Sequence, residues 1–352
     1  MKVGIVGFAG SGKTTVFNTL TGLSAEVGSY GARDRVNLGV IKVPDSRIEK
    51  LSEIYKPKKK VLAEISFVDF AGPEGADKVS GSSLDPKLVP QMREAEALVL
   101  VVRGFENAAL NLAVDPARDV RNFESELILS DLVLVENRLT RFKKEKADPR
   151  EKELMERCFA QLEAERPLRE LELSVEEQRL LLGYRFLSQK PLMLLYNVGE
   201  DRISAEMPAE LQKLASSKEL VLIAMCGQAE MEIAQLDPEE QQAFLDDMGI
   251  KEPARERFIK SAYSMLDLIS FLTAGEDECR AWTIRRGTNA QRAAGKIHSD
   301  IERGFIRAEV VAFDDLIACG SEAKCREQGK LRLEGKEYPV ADGDIVNFRF
   351  NV

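Results

Sequence analysis

Near its start the chain reads Lys2-Val-Gly-Ile-Val-Gly7-Phe-Ala-Gly10-Ser11-Gly12-Lys13-Thr14-Thr15. No other stretch restricts the fold as tightly. Val3–Val6 is an apolar run of buried-strand type, and Thr15–Leu20 has apolar residues at helical spacing. Between them stands Gly-x-x-x-x-Gly-Lys-Thr, the phosphate-binding loop in the context it requires, strand before and helix after. Glycines allow successive backbone N–H groups to face phosphate oxygens, and the helix start adds a positive dipole end. Gly10, Ser11, Gly12, Lys13, Thr14 and Thr15 are therefore expected to hold a nucleoside triphosphate. Lys13 is assigned to the β- and γ-phosphates, and the Thr14 hydroxyl to Mg²⁺.

A second element completes such a site. Ala63–Val68 runs apolar into Asp69-Phe-Ala-Gly72, 55 residues after Thr14. A strand ending in Asp-x-x-Gly supplies a carboxylate for Mg²⁺, here Asp69, and a glycine N–H that senses the γ-phosphate, here Gly72. Lys13, Asp69 and Gly72 are the expected catalytic groups, and Thr14 and Asp69 the metal ligands. One histidine, His298, and five cysteines without a CxxC pair argue against zinc and for reduced thiols in a cytoplasmic protein. Net charge −9 argues against a wholly nucleic-acid-binding surface, and no DNA partner is expected. No signal peptide is read, and no apolar run is long enough for a membrane span.

The rest of the chain divides by texture. Glu26–Val36 and Gly72–Lys87 are polar and glycine-bearing, and read as mobile loops. Further strands are expected at Leu38–Val43, Ala97–Val102, Pro191–Tyr196 and Leu220–Met225, with a basic turn at Lys56–Lys60. Residues 120–188 are heavily charged, with apolar positions at helical spacing and a break at Ala147-Asp-Pro149. They read as a helical hairpin or short coiled coil inserted in the nucleotide domain. From about Ile269 short strands surround one helix near Asn289–Glu302, a small α+β module. The expected fold is α/β: a G-domain-like, mostly parallel P-loop sheet with a helical insertion and a C-terminal α+β module. The expected boundaries are 1–119 and 189–268 for the nucleotide domain, 120–188 for the insertion and 269–352 for the module.

Several stretches together resemble the YchF (Obg-like ATPase) family of TRAFAC-class P-loop NTPases. They are Val102-Arg-Gly-Phe-Glu-Asn107, Asn197-Val-Gly-Glu200, Arg280-Ala-Trp-Thr-Ile284, Ala293-Ala-Gly-Lys-Ile-His298, Gly304-Phe-Ile-Arg-Ala-Glu309 and Phe348-Arg-Phe-Asn-Val352. The resemblance covers the full length in order. It implies that the C-terminal module is a TGS domain with a ubiquitin-like β-grasp. It also implies an ATPase associated with ribosome or RNA, and the chain is expected as a monomer. The base would be met by Asn197, Val198 and Glu200, followed by Cys226 and Gly227 after the last strand. A guanine site usually reads Asn-Lys-x-Asp, whose aspartate accepts from two guanine donors. Here Glu200 carries an extra methylene and Val198 replaces the lysine, so ATP is favoured with GTP possible.

Three departures bear on turnover. The family loop reads close to Gly-x-Pro-Asn-Val-Gly-Lys-Ser, which differs here without loss of phosphate chemistry. No threonine lies between Glu26 and Asn37, where the family completes its Mg²⁺ shell; Ser29 or Asp34 could take that place, while Arg33 and Arg35 could instead bring positive charge near the γ-phosphate. Pro73 follows Gly72 and cannot orient water, and Leu100 stands where the family carries a histidine. The expectation is a Mg²⁺-dependent ATP switch with slow intrinsic hydrolysis. The alternatives are a translational GTPase and a nucleotide-bound scaffold that does not hydrolyse.

Overall fold

The structure is a computed structural model that describes residues 1–22, 37–70, 84, 87–108, 110, 112–145, 148–203, 205–233, 236–237, 240–241 and 252–351. The expected loops at 26–36 and 72–87 lie almost wholly outside the described residues, as do Gly72, Pro73, Ser29, Arg33, Asp34 and Arg35. Two compact units form: Met1–Val40 with Ser66–Phe258, and Ile41–Ile65 with Ile259–Val352.

The first unit is built on a six-stranded sheet of order β2-β4-β1-β5-β6-β7. Its strands are β1 (Lys2–Val6), β2 (Asn37–Lys42), β4 (Glu64–Asp69), β5 (Ala97–Gly104), β6 (Leu192–Val198) and β7 (Val221–Met225). Pairings of β1 with β4 and β5, of β5 with β6, and of β6 with β7 all run parallel. Every residue of β5 and β6 is buried, the pattern of strands covered on both faces. Parallel neighbours align the ends of β1, β4 and β6, which carry the loop at 7–12, Asp69 and Asn197. Helix α1 (Lys13–Thr21) follows the loop, as expected, and α2 (Ser46–Tyr55) follows β2 along the chain.

The charged insertion is a pair of packed helices, α4 (Pro116–Phe142) and α5 (Pro149–Glu163). Both start with an aspartate whose side chain accepts a first-turn N–H and with proline at the first helical position. Val135, Phe142, Leu154, Met155, Cys158 and Leu162 form its interior, joined by Leu181 and Phe186 from the returning chain. Arg138 pairs with Glu151 at 2.9 Å and lies over the Phe142 ring at 4.4 Å. At the base of the arm Asp131 is fully buried. It accepts from Arg93 of α3 (Val89–Glu94) at 2.8 Å, and from the backbone N–H groups of Leu187 and Ser188 at 3.0 and 2.6 Å.

The second unit holds a sheet of order β11-β10-β12-β8-β9-β3. Its members are β3 (Lys59–Val61), β8 (Leu268–Thr273), β9 (Glu278–Arg285), β10 (Phe305–Ala312), β11 (Arg332–Glu334) and β12 (Asp344–Phe350). The antiparallel β8–β9 hairpin, the parallel β8–β12 pair and the β10–β12 and β10–β11 pairs give the β-grasp order. Ala290, Ala293 and Ala294, on the helix Ala290–Ile297, pack against Ile269, Phe271, Ile284 and Val346.

The strands expected from about Ile269 begin with β8, three residues after the helix Ala254–Met265, and two further features depart from the expectation. Two short helices, Phe313–Cys319 and Glu322–Glu327, stand where no helix was expected. The basic run at 56–60 is only partly a turn: Lys59 and Lys60 enter β3 and pair in parallel with β9. An otherwise open β9 edge is thereby satisfied by chain from 41–65. The lysines there are also engaged, Lys58 with Asp277 at 2.8 Å and Lys60 with Glu49. His298 caps a short helix: its Nδ1 accepts from Asp300 N–H at 3.2 Å.

Candidate nucleotide site

Gly12 is the cap residue of α1, with φ of 87° and no side chain to bond the first-turn N–H groups. Those donors are thus left facing outward for an anion. Only glycine fits here. A Cβ at Gly12 would collide with Asn197 Nδ2, in a left-handed backbone that side chains disfavour.

Lys13 is 7 % exposed, and its ammonium donates to the carbonyl oxygens of Gly7 at 2.8 Å and Phe8 at 2.9 Å. Burial pulls its pKa down to about 8, and the Asp69 charge opposes that fall. A triphosphate supplies far more negative charge than two carbonyls, so binding raises the Lys13 pKa again. The sign follows from linkage. Below about pH 8 the free site already carries the proton, whereas above it each binding event takes one up. Affinity for a triphosphate is expected to fall about tenfold between roughly pH 7 and 9. Titration calorimetry in two buffers of different ionisation enthalpy at alkaline pH should show the proton uptake. A flat affinity with no uptake would remove this role for Lys13.

Thr14 Oγ1 donates to Asp69 Oδ2 at 3.1 Å, so the two residues expected to share a metal do meet. Asp69 is 3 % exposed, and its Oδ1 is buried without a hydrogen-bond partner. Burial pushes this carboxyl up, opposed by the Lys13 charge and the Asn37 and Thr14 hydrogen bonds. An orphaned carboxylate oxygen beside a threonine hydroxyl and an open phosphate loop fits a Mg²⁺ ion, which takes one or two protein oxygens and completes its shell with phosphate and water. No cluster of three His, Cys, Asp or Glu suited to a metal occurs among the described residues.

Asn197 bridges the loop to the far side of the site. Its Nδ2 donates to Ser11 O at 3.0 Å, and its Oδ1 accepts from Gly227 N–H at 3.1 Å. Thr19 Oγ1 donates to Gly227 O at 2.8 Å, fixing the same turn to α1. Gly227 also lies beside Thr15, and Cys226 before it is buried. Ser11 Oγ is buried with no partner. Gly10, with φ of 74°, has Leu110 and Asn107 over the place a side chain would take. Val198 and Glu200 part from this cluster: Val198 packs with Val6, Val102 and Tyr196 in the core, and Glu200 is exposed on the turn Glu200–Arg202.

Two residues of the 102–107 stretch, given no site role by the sequence, also shape the site. Phe105 lies beside both Gly12 and Gly199. Arg103, 3 % exposed, donates to the carbonyls of Phe105 at 3.2 Å and Leu112 at 2.8 Å, and so holds the loop bearing Phe105. A lone arginine inside an apolar strand was the available signal. Leu100, one strand residue from Val101, is buried in the core.

Comparison with known proteins agrees with this architecture. Residues 2–138 match a family profile described as 50S ribosome-binding GTPase, and residues 268–351 match the YchF-GTPase C-terminal profile, described as a protein of unknown function. Ribosome-binding ATPase YchF of Bacillus subtilis is 41 % identical over 366 residues, covering 100 % of both chains. The protein of the same name from Escherichia coli O157:H7 is 40 % identical over 362 residues, covering 100 % of this chain and 99 % of its own. The solved structure of the Schizosaccharomyces pombe YchF GTPase superposes with a TM-score of 0.84 at 29 % identity, covering 99 % of this chain and 97 % of that one. A full-length match at this identity, on a P-loop sheet with a helical arm and a C-terminal β-grasp, places the chain in the YchF family of P-loop NTPases.

Proposed function

We propose that the chain is a Mg²⁺-dependent ATP-binding and ATP-hydrolysing switch with slow intrinsic turnover, acting with the ribosome or another RNA-bearing partner. The observation that carries this reading is the convergence of Lys13, Thr14 and Asp69 at the ends of the neighbouring parallel strands β1 and β4. Lys13 meets phosphate charge, the N–H groups at the start of α1 orient the phosphate oxygens, and Thr14 and Asp69 would hold Mg²⁺. When bound, that ion offsets the negative charge of the phosphates.

Preference for ATP is supported by how the chain uses its own polar groups. Both ends of the Asn197 amide are engaged by Ser11 and Gly227, and Glu200 is exposed on its turn. Neither arrangement provides a carboxylate grip on two guanine donors. The relatives are named both ATPase and GTPase, so base choice is a live distinction. Slow turnover is supported by Leu100 lying in the core and by His298 serving as a helix cap in the second unit. Neither can handle an attacking water. The ribosome as partner follows the names of the bacterial relatives. No described helix is long and apolar enough to cross a membrane.

Single-turnover phosphate release from Mg²⁺-ATP tests this reading. The expected rate without a partner is on the order of 10⁻² s⁻¹ or slower, as for nucleotide switches lacking external activation. Brisk release would overturn the slow-switch reading, and none at all would favour a nucleotide-bound scaffold.

A further inference from the structure

We propose that Asn37 is a positioning residue for the metal carboxylate, holding Asp69 so that one of its oxygens is kept for the divalent cation. This inference rests on the nucleotide–metal reading above and extends it to a residue outside the phosphate loop and the Asp-x-x-Gly motif. Asn37 is the first residue of β2, which neighbours β4 in the sheet, and Asp69 is the last residue of β4. The Asn37 Nδ2 donates to Asp69 Oδ2 at 3.3 Å, and Thr14 Oγ1 donates to the same oxygen at 3.1 Å. Two donors on one oxygen fix the rotation of the carboxylate. The other oxygen, Oδ1, is buried and has no partner.

That imbalance is costly in a purely structural carboxylate, because a buried acceptor left unbonded loses its hydration without replacement. A hard cation, or a water on it, removes the cost. Thr14 is itself assigned to the metal, so its hydroxyl serves two purposes. Asn37 is the side-chain donor to Asp69, among the described residues, that has no metal role of its own. It therefore sets the carboxylate before the ion arrives and keeps it set afterwards, a supporting contact of the kind that tunes metal sites.

The test is calorimetric titration with a non-hydrolysable ATP analogue at a series of free Mg²⁺ concentrations. The proteins are the wild type, Asn37→Ala, Asn37→Leu and Asp69→Asn. Asn37→Leu keeps most of the side-chain volume while removing the donor, so it separates packing from hydrogen bonding and carries the test if the alanine variant folds poorly. The half-saturating Mg²⁺ concentration is expected to rise about tenfold in both Asn37 variants, as for loss of one hydrogen bond to a charged group. Affinity without Mg²⁺ should stay within about twofold, since the donor acts on the metal carboxylate and not on phosphate. An unchanged Mg²⁺ requirement, or a loss of affinity equal with and without Mg²⁺, would overturn the proposal. If Asp69→Asn raises the requirement and the Asn37 variants do not, this inference alone fails. If wild-type binding ignores Mg²⁺, the nucleotide–metal reading fails with it.

Discussion

Lys13→Ala is expected to lower affinity for ATP by roughly 10²–10⁴-fold, the loss of two charge-assisted contacts worth about 1.5–3 kcal/mol each. The same substitution should leave the thermal midpoint unchanged or raise it. Lys13 is buried with, among the described residues, only the Gly7 and Phe8 carbonyls as direct acceptors, and burial lowers its pKa. Removing a poorly compensated buried charge relieves the free protein while it disables the liganded one. Binding and stability thus move independently, which a general folding defect cannot produce. Titration with an ATP analogue, paired with a thermal melt, reads both. Equal affinity in mutant and wild type would remove the loop from phosphate binding.

Asp131→Ala is the largest expected loss of stability, about 3–5 kcal/mol, because it breaks a buried ion pair from one side. Arg93 loses its carboxylate partner, and the N–H groups of Leu187 and Ser188 lose their acceptor inside the protein. Asp131 lies on α4 while those partners lie on α3 and on the chain returning to β6, so one carboxylate ties the arm to the sheet. The first unfolding transition should fall by roughly 10 °C. Asp131→Asn keeps one acceptor oxygen and should lose less. Nucleotide affinity should hold in both variants at temperatures below the transition. A change under about 1 kcal/mol for the alanine variant would show that other contacts hold the arm.

How much of this was legible in the sequence depends on whether a feature is local. The phosphate loop was legible because glycine spacing, Lys13 and Thr14 act within fifteen residues, between a strand and a helix that announce themselves by period. Asp69 followed from its distance to that loop and from the strand before it. The helical arm was legible through charge, spacing and the break at 147–149. Asn37, Arg103 and Phe105 were not, because their contacts arise from which strands become neighbours. Asn37 meets Asp69 across 32 residues, and Arg103 reaches forward to the Leu112 carbonyl. Val198 shows the converse: its place in a motif suggested a base contact, whereas the alternation of β6 turns it into the core. Strand β3 is the plainest instance. Lysine-rich sequence reads as solvated turn, yet the exposed backbone of β9 gives Lys59–Val61 an edge to complete, and edge strands tolerate lysine.

On the proposed function, Mg²⁺-ATP is held through Lys13, Thr14, Asp69 and the Asn197 bridge. The most direct measurement is a titration of the wild-type protein with non-hydrolysable ATP and GTP analogues, each with and without Mg²⁺. Mg²⁺-dependent binding of the ATP analogue is expected, with the GTP analogue at least tenfold weaker. Equal or tighter binding of the GTP analogue would contradict the base assignment, and binding of neither would contradict the claim as a whole.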